Sequence, residues 1–318
     1  MNRPQPTDPA TPLLGIEIGG TKLQLVLADA PGAITQRLRL TADRGGGAAI
    51  RRQIELALPE LLAGRRVRAA AVGFGGPVDR ASGRIATSHQ VEGWDGFELR
   101  DWAASLVGGA PVVVENDSNT AALGEATHGA GRRFDPCFYC NFGSGVGGGL
   151  VVGGDIYRAA TPGEVEFGHL RLDRLGTTVE DRCSGWAVDR RVRSAASVAV
   201  DADSPLARLA ASAPAPGGEA RFLAEALAHD DPLARRLLVE LADDLAFALS
   251  HAIHLLHPRV IVIGGGLSLV GEPLRSAIEV ALPAYVMRAF HPPTPIRIAG
   301  LGEDSVPIGA IELASRVA

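Results

Sequence analysis

A chain of 318 residues, 46% hydrophobic and 21% charged, is long enough for two domains of ordinary size, and its globular composition excludes disorder as its general state. A formal net charge of −5 lacks the basic surface needed to hold a nucleic-acid backbone. Three cysteines make no disulfide framework and fit a reducing cytoplasm, and no apolar run reaches the roughly eighteen residues of a membrane-spanning helix.

Met1 to Pro12 is proline-rich without an apolar signal core, so residues 1–12 read as a flexible extension. From Leu13, LLGIEI reads as a strand, Gly19-Gly20-Thr21-Lys22 as a glycine turn and LQLVLA as a second strand, together a hairpin. A helix is expected over about 48–62, then a strand over 68–74 that ends in Gly75-Gly76-Pro77. After a turn-rich segment holding Trp94, PVVVE over 111–115 is β-branched like a buried parallel strand. Asn116-Asp117-Ser118 then caps a helix running through Ala126.

The opening design then repeats. CFYCNF leads into Gly143-Ser144-Gly145-Val146-Gly147-Gly148-Gly149 and the strand LVV. Residues 195–218, rich in Ser, Ala, Pro and Gly, read as a loop or a weakly specified helix. A long helix over 232–256 has Pro232 at its first turn and His254 and His257 at its carbonyl end. RVIVI and Gly264-Gly265-Gly266 form a third strand and glycine turn. Strands alternating with helices imply an α/β fold, and the repeated hairpin suggests two similar halves facing a cleft.

Glycine turns let backbone N–H groups approach an anion, because no Cβ intervenes, and phosphate is the natural ligand. Gly143 to Gly148 also satisfies the spacing G-x-G-x-x-G, but strand follows where a dinucleotide fold requires helix. No G-x-x-x-x-G-K-[ST] is present, so a nucleotide would be held by hairpin turns. Cys137 and Cys140 lie three apart in a strand, facing opposite sides, and read as core. His251, His254 and His257 turn progressively around a helix with no obvious carboxylate partner, which argues against a metal site.

Four ordered motifs carry a family resemblance: Gly15-Ile16-Glu17-Ile18-Gly19-Gly20-Thr21-Lys22, the run from Glu115 to Glu125, Gly143 to Gly149, and Ile261-Val262-Ile263-Gly264-Gly265-Gly266. With Leu301-Gly302-Glu303-Asp304 and Ile308-Gly309-Ala310 near the end, the chain resembles the ROK family of sugar kinases and repressors from about Leu13 to Val317. The resemblance implies an actin-like (ribonuclease H-like) two-domain α/β fold with a central cleft, binding ATP and Mg²⁺ on one side and a hexose on the other. The expected domains are 13–115 joined by a C-terminal helix at about 305–318, and 116–304. A cytoplasmic homodimer is implied as well.

Phosphoryl transfer needs a base for the sugar hydroxyl, a magnesium ion and donors on the phosphates. Asp117 is the expected base, at a helix N-terminus that favours its ionised form. The resemblance implies sugar contacts from Gly76, Gln90, Asn116, Glu166, His169 and Glu180, with Glu166-Phe167-Gly168-His169 matching the family's Glu-x-Gly-His. It implies nucleotide contacts from Glu17, Gly19, Gly20, Thr21, Lys22, Gly143, Ser144, Gly145, Gly264 and Gly265. Asp79 reads as a turn residue.

The chain departs from the family pattern in three places. ROK kinases commonly carry a zinc held by the His of Glu-x-Gly-His and three cysteines. This chain has a shortened loop with Thr178 where the last cysteine would stand, so no structural zinc is expected. Glu17 replaces the usual Asp, as in the fructokinase branch, and Gln90 stands where an Asn usually meets sugar. The expected activity is an ATP:hexose phosphotransferase of glucokinase type acting on the 6-hydroxyl. The alternatives are a fructokinase, an N-acetylhexosamine or N-acetylmannosamine kinase, or a sugar-binding pseudokinase or regulator. A DNA-binding repressor is disfavoured, since only about a dozen residues precede the first strand.

Overall fold

A computed structural model of the chain describes residues 11–86, 91–158, 160, 165–198, 201–213 and 217–318. Contacts divide it into two units. The first takes in Met1–Gly124, Arg158–Glu164 and Glu303–Ala318, and the second takes in Glu125–Tyr157 and Val165–Gly302. The division therefore falls inside a helix at Gly124, not after Glu115 as expected. Gly124 explains it, because a Cβ there would stand 2.4 Å from Ser305 O. Only glycine lets the start of that helix lie flat on the C-terminal helix (Ser305–Ser315).

In the first unit, β1 (Leu13–Ile18) and β2 (Lys22–Ala28) form the expected antiparallel hairpin, and β3 (Gln36–Thr41) extends it. Helix α1 (Gly47–Leu62) leads to β4 (Ala69–Phe74), which runs parallel to β1. A two-stranded ribbon, β5 (Val78–Asp79) and β6 (Arg84–Ile85), follows, then α2 (Leu99–Leu106) and β7 (Val112–Asn116), which is parallel to β4. Helix α3 (Asp117–His128) starts directly from β7 and runs two residues beyond its expected end.

The sheet order β3-β2-β1-β4-β7 makes the register decisive. Ile18 pairs with Phe74 and Phe74 with Asn116, so three parallel strands end in one row. Gly19, Gly75 and Asp117 each follow that row.

Alternation sends Ile16, Ile18, Leu25, Val72 and Phe74 into a core that includes Ile50, Ile54 and Trp94. Each fully buried aliphatic side chain contributes about 1.5–3 kcal/mol. The Trp94 ring meets Phe74 edge-on at 5.2 Å, which anchors the turn-rich segment. On the opposite face the C-terminal helix lies over glycines, and a Cβ at Gly73 would be 2.7 Å from Val306.

The second unit repeats the plan. Strands β8 (Cys137–Phe142) and β9 (Val146–Val152) form a hairpin extended by β10 (Asp155–Ile156). After α4 (Val179–Cys183), α5 (Gly185–Ala196), α6 (Pro205–Ala211), α7 (Leu223–Ala228) and α8 (Pro232–Leu256), β11 (Val260–Gly264) lies parallel to β8. Helix α9 (Glu272–Ala281) and β12 (Ile296–Ile298) complete the order β10-β9-β8-β11-β12. Gly264 pairs with Asn141, so the third glycine turn leaves the sheet beside the second.

Helix α8 spans the residues expected from sequence, with Asp231 capping its start by accepting from Leu233 N at 2.8 Å. Its Leu241, Leu245 and Leu249 join Phe138, Cys140 and Phe142 in the core. Within residues 195–218, α6 is a defined helix capped by Ser204. Cys137, Cys140 and Cys183 are free and buried. Burial pushes the Cys137 and Cys183 thiols up to about 12 and raises that of Cys140 as well.

Candidate active site

The hairpin turn of the first unit is closed by Gly19 N donating to Lys22 O at 2.9 Å. Gly20 and Thr21 are exposed at its tip. Behind it Glu17 is buried, with Lys22 Nζ 3.1 Å from one carboxylate oxygen and Gln24 Nε2 donating to the other at 2.7 Å. Burial is the larger influence and raises the Glu17 pKa, and the Lys22 charge opposes it. Arg39 extends the network by donating to Gln24 Oε1 at 3.1 Å and pairing with Glu303 at 2.7 Å. Gln24, a polar residue inside an apolar strand, is the one signal in LQLVLA that pointed to this network.

The row end brings Gly19, Gly75, Gly76, Asn116 and Asp117 together. Gly75 N donates to Ile18 O at 2.9 Å, and a Cβ on Gly75 would lie 3.6 Å from Gly19 Cα and 3.4 Å from Asp117 Oδ2. Asp117 is half-buried. The helix cap is Asn116, whose Oδ1 accepts from Ser118 N at 2.9 Å and Asn119 N at 3.1 Å. Asn116 Nδ2 donates to Gly76 O at 3.2 Å, which leaves one amide hydrogen for a ligand.

Glu115, which the sequence reading left without a role, is buried and receives Asn116 N and Asn119 Nδ2 on Oε1. Its Oε2 faces Arg158 at 3.3 Å and Arg80 at 3.7 Å. Asp79 is the turn residue expected, accepting from Ala81 N and Ser82 Oγ. Gln90 lies outside the described residues.

In the second unit, Gly143 N donates to Gly145 O at 2.9 Å and closes the β8–β9 turn. A Cβ on Gly143 would meet nothing within 4 Å, so the turn is open on that side. Two contacts grip it from α4 and α5. Val146 N donates to Glu180 Oε2 at 2.8 Å, and Gly185 N donates to Gly143 O at 2.6 Å. Glu166 and His169 are exposed on the turn Glu166-Phe167-Gly168-His169. A Cβ on Gly168 would stand 2.2 Å from Val146 O, so only glycine lets that turn pack on the hairpin. Gly265 has φ +77, and a Cβ there would lie 2.6 Å from the Phe142 backbone.

Eight of the expected residues, Glu166, His169, Glu180, Gly143, Ser144, Gly145, Gly264 and Gly265, thus share one neighbourhood with Gly185. The sequence reading gave Gly185 no contact role. A zinc does not fit here, since the loop lacks thiolates and the three cysteines are buried in the core. Among the described residues no group of three or more His, Cys, Asp and Glu could hold a metal ion. His251 packs on Phe247, His254 accepts from Met287 N and tilts against Phe290, and His257 stacks on the same Phe290 ring. No helix among the described residues is long and apolar enough to cross a membrane.

The chain matches the ROK family over residues 13–317. The chain belongs to the ROK family. It is 28% identical over 314 residues to a glucokinase of Thermotoga maritima, covering 96% of this chain and 98% of that one. A glucokinase of Halalkalibacterium halodurans is 30% identical over 308 residues, covering 93% and 92%. The crystal structure of a ROK family glucokinase from Streptomyces griseus in complex with glucose and AMPPNP superposes with a TM-score of 0.85 at 28% identity, covering 96% and 99%. The α/β fold seen here is the actin-like ATPase fold of the ROK sugar kinases.

Proposed function

We propose that the chain is an ATP- and Mg²⁺-dependent hexose kinase of glucokinase type, transferring the γ-phosphoryl group to the sugar 6-hydroxyl. The observation that carries this reading is the row of strand ends that sets the Asp117 carboxylate beside Gly75 and the Gly19 turn. Asp117 accepts the hydroxyl proton as the oxygen attacks, and the cap at Asn116 fixes where that carboxylate starts its helix. Asn116, Gly76, Gln90, Glu166, His169 and Glu180 bind the sugar. Gly19, Gly20, Thr21, Lys22, Gly143, Ser144 and Gly145 hold phosphate oxygens through main-chain N–H groups and the Lys22 charge, and Gly264 and Gly265 border the adenosine.

The Asp117 carboxylate, a hard oxygen donor, would hold a magnesium ion together with the nucleotide, and Glu17, whose two oxygens already meet Lys22 and Gln24, would act on it through water. Bound there, the ion supplies charge neutralisation for the phosphates. The complex of the S. griseus relative with glucose and AMPPNP supports both ligand classes.

The test is ADP release over a panel of hexoses. Asp117→Asn lowers kcat by about 10²–10⁴-fold with sugar affinity retained. Near-normal turnover in that variant removes Asp117 from the role. A second reading has its own support, since a bifunctional NanE/NanK of Brucella melitensis is 32% identical over 322 residues, this chain covering 54% of its length. N-acetylmannosamine therefore belongs in the panel, and fructose is included because Glu17 resembles the fructokinase branch. Sugar binding with no ADP formed on any sugar would favour a pseudokinase.

A further inference from the structure

We propose that Asp173 is a positioning residue that fixes Glu180 and His169 by a carboxylate clasp. This rests on the reading of Glu180 and His169 as sugar ligands. The residues between them must reverse direction, and without a metal crosslink the closure has to come from the chain itself.

Asp173 supplies it. Its Oδ1 accepts from Leu175 N at 2.8 Å, Gly176 N at 2.9 Å and Thr177 N at 3.1 Å. Gly176 sits at φ +107, a backbone conformation that suits glycine. The chain then returns along itself. Leu172 N donates to Thr177 O at 2.8 Å, Arg171 forms a bridge with Thr178, and Val179 N donates to Leu170 O at 2.9 Å.

That last hydrogen bond decides the geometry, because His169 precedes Leu170 and Glu180 follows Val179. The two expected sugar ligands flank one rung. Val179 is fully buried, which fixes the rung in the core, and Thr178 and Asp181 form a reciprocal capping box that begins α4 at this point. Glu180 then has one oxygen on Val146 N. The Thr177 side chain and the three main-chain donors hold the Asp173 carboxyl below its ordinary range, as hydrogen bonds to its ionised form must.

The test combines variants, metal analysis and hydrogen exchange on the full chain. Asp173→Ala is expected to raise the hexose KM about tenfold with kcat within about twofold. Asp173→Asn, which retains the acceptor oxygen, restores most of the affinity. Gly176→Ala loosens the same turn and shifts KM in the same direction, which keeps the test open if Asp173→Ala does not fold. Protection of the Val179 amide falls in Asp173→Ala and is unchanged when the wild-type protein is dialysed against a chelator. Three results overturn the proposal: an unchanged hexose KM with only a lower melting temperature, zinc near one per chain, or loss of Val179 protection on chelation. If the wild-type protein phosphorylates no hexose, the kinase reading fails instead, and the exchange and metal results still decide the clasp.

Discussion

Val146 N donates to Glu180 Oε2 at 2.8 Å, joining an expected sugar ligand to the expected phosphate turn within one unit. If Glu180 binds sugar as proposed, the same side chain that holds the hairpin through Oε2 would also serve the sugar, and the two binding events would be coupled. Glu180→Ala is expected to raise KM for both the sugar and ATP. Glu180→Gln keeps an acceptor for Val146 N, so its ATP KM stays near wild type while its sugar KM rises. Steady-state kinetics with each substrate varied in turn checks this, and an unchanged ATP KM in Glu180→Ala would separate the two events.

Asn116 caps α3, and this makes its stability effect separable from its proposed role at the sugar. Asn116→Ala removes the acceptor for Ser118 N and Asn119 N and is expected to cost about 1 kcal/mol, read from the denaturant midpoint. Asn116→Asp retains the cap and should fold with near wild-type stability. It loses the donation to Gly76 O and sets a second carboxylate beside Glu115, so its kcat should fall although its stability does not.

Much of this arrangement was legible because the chain marks it locally. Glycine between two apolar runs marked both hairpins, and Pro232 marked the start of α8 where Asp231 caps it. The parallel pairing of β1 with β4 and of β4 with β7 was not legible, since it joins strands far apart in sequence whose register is set by packing. Yet that register is what brings Asp117 to Gly75. Asp173 and Gly185 escaped notice for a related reason, as a surface Asp and a lone Gly carry no periodic signal. The cap at α3 was expected across Asn116-Asp117-Ser118, and only the hydrogen bonds assign it to Asn116.

Glu17 gives a pH signature. Its pKa is raised by burial above the ordinary 4.5, so between pH 4.5 and the folded value the native state binds more protons than the unfolded chain. Stability therefore decreases as pH rises through that window and levels off above it. Glu17→Gln cannot titrate, and its stability should lack this decline. Melting temperatures of both proteins from pH 4 to pH 8 check the difference, and parallel curves would mean that Lys22 offsets the burial completely.

Glu115 carries the largest expected stability effect. Its side chain is 3% exposed, and it holds Asn116 N, Asn119 Nδ2 and Arg158, with Arg80 at the rim. Removing this buried partner leaves the Asn116 N and Asn119 Nδ2 donors without their acceptor, so Glu115→Ala is expected to cost about 3 kcal/mol. Glu115→Gln keeps an oxygen for Asn116 and Asn119, and should cost less. Arg80 is 51% exposed, and Arg80→Ala should change stability by under about 0.5 kcal/mol. Because Glu115 steadies the residue before Asp117, kcat in Glu115→Ala should fall more than KM rises. Denaturant titration of the three variants beside their kinetics tests this ordering, and equal effects for Arg80→Ala and Glu115→Ala would show that the surface arginine, not the strand-end hydrogen bonds, dominates.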